Sequence, residues 1–177
     1  GLVNGAGYNG TAQGLADARN SAVSNACVFI QTVSGNWNNT ANWREGAVPT
    51  VNDDATIDDG ITSTVTQNQA VNNLTLDPGS IVQIDDTFTL DVTGDIINNG
   101  EFISSPGTGD GEVLLNGVSA QSISGGGSFE NLRIDNATAV DINDPTDLSG
   151  ILYVDQGTLN TNNNLTLKCS FPVTQFA

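Results

Sequence analysis

Apolar and polar residues alternate in short runs along most of the chain from Val33 onward. Representative runs cover 55–57, 74–76, 88–90 and 113–115, and each begins and ends with an apolar residue. A period of two is typical of β-strands with one buried face, and the Asn, Gly and Asp residues between the runs favour turns. The pattern therefore predicts many short strands joined by frequent turns.

An imperfect internal repeat runs through these predicted strands. Similar four-residue segments, each beginning with Asn-Leu, occur at residues 73–76, 131–134 and 164–167. In a parallel solenoid, the inward residues of each coil stack on those of the next, and corner Asn residues can stack as hydrogen-bonded ladders. Asn73, Asn131 and Asn164 are candidates for such corners. We predict an all-β fold, a right-handed parallel β-helix (β-solenoid), over residues 33–168.

An antiparallel β-sandwich is the alternative architecture for many short strands. Sandwiches favour tight two-residue hairpins between longer alternating runs. Asn99-Gly100 and Asn116-Gly117 fit such hairpins, so the sequence leaves this alternative open.

The two ends of the chain differ from the predicted coils in composition and in their pattern of apolar and polar residues. Residues 1–32 form an N-terminal appendage rich in Gly, Ala and Asn, with a short helix predicted over residues 11–26. The predicted helix face comprises Leu15, Ala18, Ala22 and Ala26. Residues 169–177 form a C-terminal tail. Because the chain starts at Gly1 and contains no Met, we expect a processed mature form or a fragment of a longer protein.

The charge balance limits the partners of the protein. The chain contains four Lys and Arg residues and twenty Asp and Glu residues, which gives a formal net charge of −16. Nucleic-acid phosphates and anionic lipids are repelled by such a chain, and no apolar stretch approaches the length of a membrane span. Cations, glycans and proteins remain as partners, and the polar, turn-rich composition is typical of secreted β-proteins.

The residues available for catalysis are few. The chain contains no His, which removes the usual general base and the Ser-His nucleophile arrangement. A polysaccharide lyase needs a Lys or Arg base, and the four basic residues are widely separated. An acid-pair glycosidase needs only two carboxylates, but no motif selects a pair. We therefore expect a protein that is not an enzyme, with the glycosidase as a less favoured alternative.

Three pairs of acidic residues bracket predicted strands and are candidate Ca²⁺ ligands. The pairs are Asp53 with Asp54, Asp58 with Asp59, and Asp85 with Asp86. Carboxylates from several converging loops can bind Ca²⁺. The alternative is that they are solvated turn residues that also limit pairing of strand edges.

Two tryptophans near the start of the predicted solenoid are candidate carbohydrate-binding residues. The flat ring of Trp37 or Trp43 with polar neighbours suits a pyranose, whereas the alternative is that both cover the exposed end of the first coil. Arg44 and Glu45 then form either a polar rim to this platform or a surface ion pair of little energetic weight.

The same region resembles a known class of protein. The stretch Gly35-Asn36-Trp37 with Trp43, Gly46, Pro49 and the Asp-led strand at 53–57 is similar to the opening coil of extracellular β-solenoid domains, including the eight-glycine type. The phrases at 115–117, 121–127, 129–134 and 157–167 are similar to repeats in large type IX secretion cargo proteins of Bacteroidota. Together these stretches touch most of residues 33–168.

The resemblance implies a location and an architecture more than an activity. Such proteins are surface adhesins, filaments and polysaccharide-associated proteins, commonly built as right-handed parallel β-helices. We accordingly expect a non-catalytic, secreted or cell-surface structural or adhesive protein. A carbohydrate-binding adhesin module, with or without Ca²⁺, is the alternative function.

Self-association end to end is expected from the predicted architecture. A linear solenoid exposes unpaired strand edges at both ends unless they are capped. Phe171, Val173 and Phe176 in the tail could dock as an extra strand on another subunit. The expected arrangement is head to tail.

The two cysteines offer a test of that arrangement. A stack of roughly six coils about 4.8 Å apart separates Cys27 from Cys169 by more than the roughly 7 Å that a disulfide spans, unless the appendage folds back. Head-to-tail contact would bring Cys27 of one subunit near Cys169 of the next. The alternative is that both are free or pair within the chain.

Overall fold

The computed structural model describes residues 27–105 and 109–168, and its strands wind into a parallel β-solenoid with three faces. Sheet A contains β1 (Val28–Gln31), β3 (Asp54–Ile57), β6 (Leu74–Leu76), β9 (Ile96–Asn98), β12 (Gln121–Ser124), β15 (Val140–Ile142) and β18 (Leu159–Asn160). Sheet B contains β2 (Gly35–Asn36), β4 (Thr62–Val65), β7 (Ile81–Ile84), β10 (Glu101–Ser104), β13 (Ser128–Phe129), β16 (Thr146–Leu148) and β19 (Leu165–Leu167). Sheet C contains β5 (Gln69–Val71), β8 (Thr89–Val92), β11 (Glu112–Leu115), β14 (Leu132–Asp135) and β17 (Leu152–Gln156).

Successive coils take one strand from each sheet, in the order A, B, C. Five complete coils, from β3–β5 to β15–β17, lie between two partial coils in the described part of the chain. The ladders between these strands are parallel, as in Leu74 opposite Ile96. The predicted all-β parallel solenoid is confirmed, the sandwich alternative is wrong, and the hand of the coil stays a prediction.

The interior is a set of residue columns that run along the solenoid axis. In sheet A one column passes through Phe29, Ala55, Leu74, Ile96, Ile123 and Ile142. All of these side chains are buried, because alternate residues of each strand point inward and every inward residue lies on the next one about 4.8 Å away. The alternating pattern in the sequence is therefore the direct cause of the core.

The dipeptides that resemble hairpin turns lie at corners between sheets. Asn99 and Gly100 join β9 in sheet A to β10 in sheet B, and Asn116 and Gly117 join β11 in sheet C to β12 in sheet A. They turn the chain toward the next face instead of reversing it.

The three repeated Asn residues also lie at corners, but each lies at a different one. Asn73 precedes β6 in sheet A, Asn131 precedes β14 in sheet C, and Asn164 precedes β19 in sheet B. The predicted ladder of these residues is therefore wrong. Each one instead bonds the backbone of an adjacent coil, as when Asn73 Oδ1 accepts from the N–H of Asp95 at 2.7 Å.

The boundaries of the described solenoid differ slightly from the predicted ones. The first strand begins at Val28 and pairs with β3, so the first coil starts before the predicted boundary at residue 33. The predicted helix over residues 11–26 and the tail at 169–177 lie outside the described residues.

Candidate functional site

The predicted aromatic platform is buried in the first coil. Trp37 is 0% exposed and Trp43 is 3% exposed. Their rings meet edge to face with centroids 4.9 Å apart, and the Trp43 ring makes a similar contact with Phe29. Because neither ring offers a free face, the prediction that they bind a sugar is wrong. The alternative, in which they cover the first coil, agrees with this packing.

The segment that carries Trp43 closes the outer edge of β1. The N–H of Thr32 donates to the carbonyl of Asn42 at 3.0 Å, and the N–H of Arg44 donates to the carbonyl of Ile30 at 2.9 Å. Glu45 Oε2 accepts from the N–H of Ile30 at 2.9 Å. We call residues 42–45 the N-terminal cap. The predicted rim residues Arg44 and Glu45 thus hold a strand edge, and their own ion pair at 3.0 Å is largely exposed.

The edge of β2 in sheet B is closed by the same region. The carbonyl of Asn36 accepts from the N–H of Asn39 and from Nδ2 of Asn42, each at 3.0 Å. An unpaired strand edge invites another strand, and these bonds remove that opportunity at the N-terminal end of sheets A and B.

The first two acidic pairs lie at opposite ends of β3. Asp53 Oδ2 accepts from the N–H and Oγ1 of Thr50, and Asp54 Oδ1 accepts from Asn72 and Asn73. Asp58 and Asp59 follow the strand, about 13 Å further along it at roughly 3.3 Å per residue.

The third acidic pair belongs to another face. Asp85 and Asp86 follow β7 in sheet B, and Asp86 Oδ1 accepts from the N–H of Gly109 at 3.2 Å. In residues 27–105 and 109–168, no group of three acidic, His or Cys side chains could hold a metal ion. The predicted convergence on Ca²⁺ is wrong because the strands between the pairs keep them apart.

The C-terminal coil exposes side chains that would be interior in any other coil. Leu167 lies in register with the buried Leu148 and is 57% exposed, and Val154 lies in register with the buried Ile134 and is 48% exposed. The strands β17, β18 and β19 are the last of their sheets among the described residues. We call this surface the open end.

The residues predicted to take part in assembly are only partly described. Cys27 carries a free thiol and is half-buried. Cys169, Phe171, Val173 and Phe176 lie outside the described residues, so their predicted role stays a prediction.

A cleft that the sequence did not reveal follows the corner between sheets B and C. Its volume is about 400 Å³. The lining residues are Thr87, Phe88, Thr89, Asp110, Glu112, Asn131, Arg133, Ile151 and Tyr153. We call it the corner cleft.

A charged network forms one wall of the corner cleft. Arg133 Nε lies 2.7 Å from Glu112 Oε1, and its Nη1 lies 2.7 Å from Asp155 Oδ2. The guanidinium carbon lies 4.1 Å from the centroid of the Tyr153 ring. The hydrogen bond to Glu112, followed by that to Asp155, raises the pKa of Arg133. The network therefore fixes a permanent positive charge on the ring face.

One feature of the sequence could have drawn attention to Arg133. It is one of only four basic residues among twenty acidic ones, and it stands at an outward position between the inward-facing Leu132 and Ile134. Its partners Glu112 and Asp155 come from neighbouring coils, and no local motif connects them.

Comparisons with protein-family models, with curated proteins and with solved structures found no match for this chain. The fold itself defines the class, a parallel β-solenoid. Within the described residues, no helix has the length and hydropathy needed to cross a membrane.

Proposed function

We propose that this chain is a non-catalytic structural or adhesive module of an extracellular or cell-surface protein, and that two copies associate through their open ends. The observation that carries the proposal is the contrast between the N-terminal end, where the edges of sheets A and B are capped, and the open end. The solenoid between them serves as a rigid spacer.

The open end offers apolar surface, and among the described residues no further strand pairs with β17, β18 or β19. Covering Leu167 and Val154 would stabilise a complex by about 25 cal/mol for each Å² of apolar surface removed from water. The free edges of the last strands would gain main-chain hydrogen bonds through β-augmentation. A second copy supplies both, because its own last coil presents the same three strand edges.

The N-terminal cap disfavours the head-to-tail arrangement expected from the sequence. A strand adding to β1 would have to displace the bonds that Ile30 and Thr32 make with residues 42–45. Association of two open ends breaks no such bonds between described residues. The tail residues Phe171, Val173 and Phe176 lie outside the described residues, and their docking on another subunit stays a prediction.

Light scattering coupled to size-exclusion chromatography tests the association. We expect the wild-type chain to form a dimer whose fraction rises with concentration, and Leu167→Asp to shift it to monomer, because a carboxylate would be buried at the interface. Val118→Asp is the matched control, since Val118 is 98% exposed on a turn away from the open end. A wild-type monomer at every concentration would overturn the proposal.

Electron microscopy and non-reducing gels distinguish the two arrangements. Association of open ends stops at a dimer, whereas head-to-tail association yields filaments and places Cys27 near Cys169. Disulfide-linked ladders that disappear in Cys27→Ser, together with filaments, would support the head-to-tail arrangement and contradict ours.

The extracellular and non-catalytic parts of the proposal rest on the sequence. The absence of His in this chain and the resemblance to surface solenoids support them. Protease treatment of intact source cells should cleave the protein from the surface, and incubation with polysaccharides should release no new reducing ends. Turnover that disappears with one Asp or Glu substitution would instead support the glycosidase.

A further inference from the structure

The corner cleft crosses four successive coils. Thr87 and Phe88 precede β8, whereas Glu112, Arg133 and Tyr153 belong to β11, β14 and β17. At about 4.8 Å per coil, the cleft spans roughly 14 Å along the solenoid. This length suits an extended oligomer better than a single small molecule.

The cleft combines an aromatic surface with hydrogen-bonding groups. Tyr153 is 37% exposed, and the contact with Arg133 holds its ring in place. Phe88 is half-buried at the other end of the cleft. Aromatic rings beside carboxylate and guanidinium groups match the apolar faces and hydroxyl edges of a sugar.

The local charge selects among sugars. Asp110, Glu112 and Asp155 carry negative charge, and Arg133 is the one positive group beside them among the described residues. A surplus of negative charge repels uronic acids and sulfated glycans. Neutral sugars and amino sugars meet no such repulsion.

The backbone at the edge of the cleft is strained. Thr87 has a φ of 72°, a left-handed conformation that a β-branched residue rarely adopts. Such strain persists only where the surroundings impose it, and it is frequent at binding sites. In this position it turns the chain from Asp86 into Phe88, and both Thr87 and Phe88 line the cleft.

We propose that the corner cleft binds an oligosaccharide of neutral or amino sugars. Tyr153 stacks on a sugar ring, Arg133 donates to its hydroxyl oxygens while Glu112 and Asp155 position it, and Asp110 accepts from hydroxyl or amino groups. The proposed binding surface differs from the surface proposed for association: Tyr153 projects from the outer face of sheet C, whereas Val154 and Leu167 are in register with the buried Ile134 and Leu148.

Calorimetric titration of the wild-type chain tests the proposal with four probes: cellohexaose, chitohexaose, a chitosan hexamer and a hexagalacturonate. We expect binding of at least one of the first three and none of the hexagalacturonate. If the chitosan hexamer binds, its affinity should fall with added salt, because exposed charge pairs are screened. Binding of the hexagalacturonate alone, or of no probe, would overturn the proposal.

Variants locate the binding. Tyr153→Ala should weaken binding at least tenfold, whereas Tyr153→Phe should keep most of it, because the stacking surface remains. Ile97→Ala is the matched control, since Ile97 is an exposed apolar residue on sheet A and should leave binding unchanged. Melting temperatures of the variants show that each remains folded. Equal binding by wild type and Tyr153→Ala would place the ligand elsewhere and contradict the assignment.

Discussion

Phe102 and Phe129 stack nearly parallel inside the solenoid, with ring centroids 4.8 Å apart and planes inclined by 11°. They occupy the same inward column of sheet B in neighbouring coils. The separation of the rings matches the roughly 4.8 Å between neighbouring strands, so the two rings pack face to face across one step of the stack.

Replacing Phe129 with Ala should therefore lower the free energy of unfolding by about 3–5 kcal/mol, because the lost ring leaves a cavity in a column that cannot collapse. Phe129→Leu should cost less, about 1–2 kcal/mol, since most of the volume stays. Urea denaturation measures both. A loss below 1 kcal/mol for the Ala variant would show that the column repacks.

Two adjacent glycines are expected to differ in how well they tolerate a side chain. A Cβ on Gly127 would clash with the carbonyl oxygen of Gly100 and with Oδ1 of Asn98, whereas a Cβ on Gly126 meets nothing within 4 Å. Gly127→Ala should separate two coils and reduce stability by more than 2 kcal/mol, a size reserved for specific structural damage. Gly126→Ala should be neutral or slightly stabilising, because it restricts the unfolded chain. Thermal unfolding of the two variants measures the difference, and similar melting temperatures would contradict it.

Asn131 connects three coils through its buried amide. Its Nδ2 donates to Ser104 Oγ at 2.9 Å and to the carbonyl of Gly111 at 3.0 Å, and its Oδ1 accepts from the N–H of Ile151 at 2.9 Å. Asn131→Leu should destabilise the fold by about 2–4 kcal/mol, since it leaves buried backbone groups unpaired at about 1–3 kcal/mol each. Chemical denaturation is the measurement. The control is Asn52→Leu, because Asn52 is exposed. An equal loss of unfolding free energy in both variants would show that the hydrogen bonds of the buried Asn131 amide do not stabilise the fold.

The N-terminal cap predicts a local effect. Removing the Glu45 carboxylate in Glu45→Ala should weaken the protection of the Ile30 N–H by about 1 kcal/mol, which corresponds to about fivefold faster hydrogen exchange. Glu101→Ala, at an exposed position in sheet B, should leave the exchange of Ile30 unchanged. Slow exchange of Ile30 in the Glu45 variant would mean that the cap is held by its other bonds alone.

The local part of this fold follows from the sequence. Alternation fixes which residues of a run such as 74–76 face inward, and Asn73 marks the corner before that run. The face on which a run lies is not local information, because the coils differ in length: Ala55 has Leu74 as its partner, whereas Ile96 has Ile123. For that reason the repeated Asn residues were correctly expected at corners but wrongly expected to stack.

The functional sites depend on the same non-local information. The sequence allowed Trp37 and Trp43 to be surface residues because nothing near them shows that Phe29 packs against Trp43 and Trp43 against Trp37. The wall of the corner cleft requires Glu112, Arg133 and Asp155 to come together from three coils. Only the coil register brings them within hydrogen-bonding distance, so alternation alone could not predict the cleft.

The unlike ends also give the solenoid a direction of unravelling. In a one-dimensional stack, each coil is held by its neighbours, and a coil with a neighbour on one side only opens first. Strand β1 is held by β3 on one side and by residues 42–45 on the other. Among the described residues, β19 is held on one side only, by β16. In the monomer, pulling or mild denaturant should therefore unfold the described coils one after another from Leu167 backward, and the region around Trp43 should be the last to lose its order.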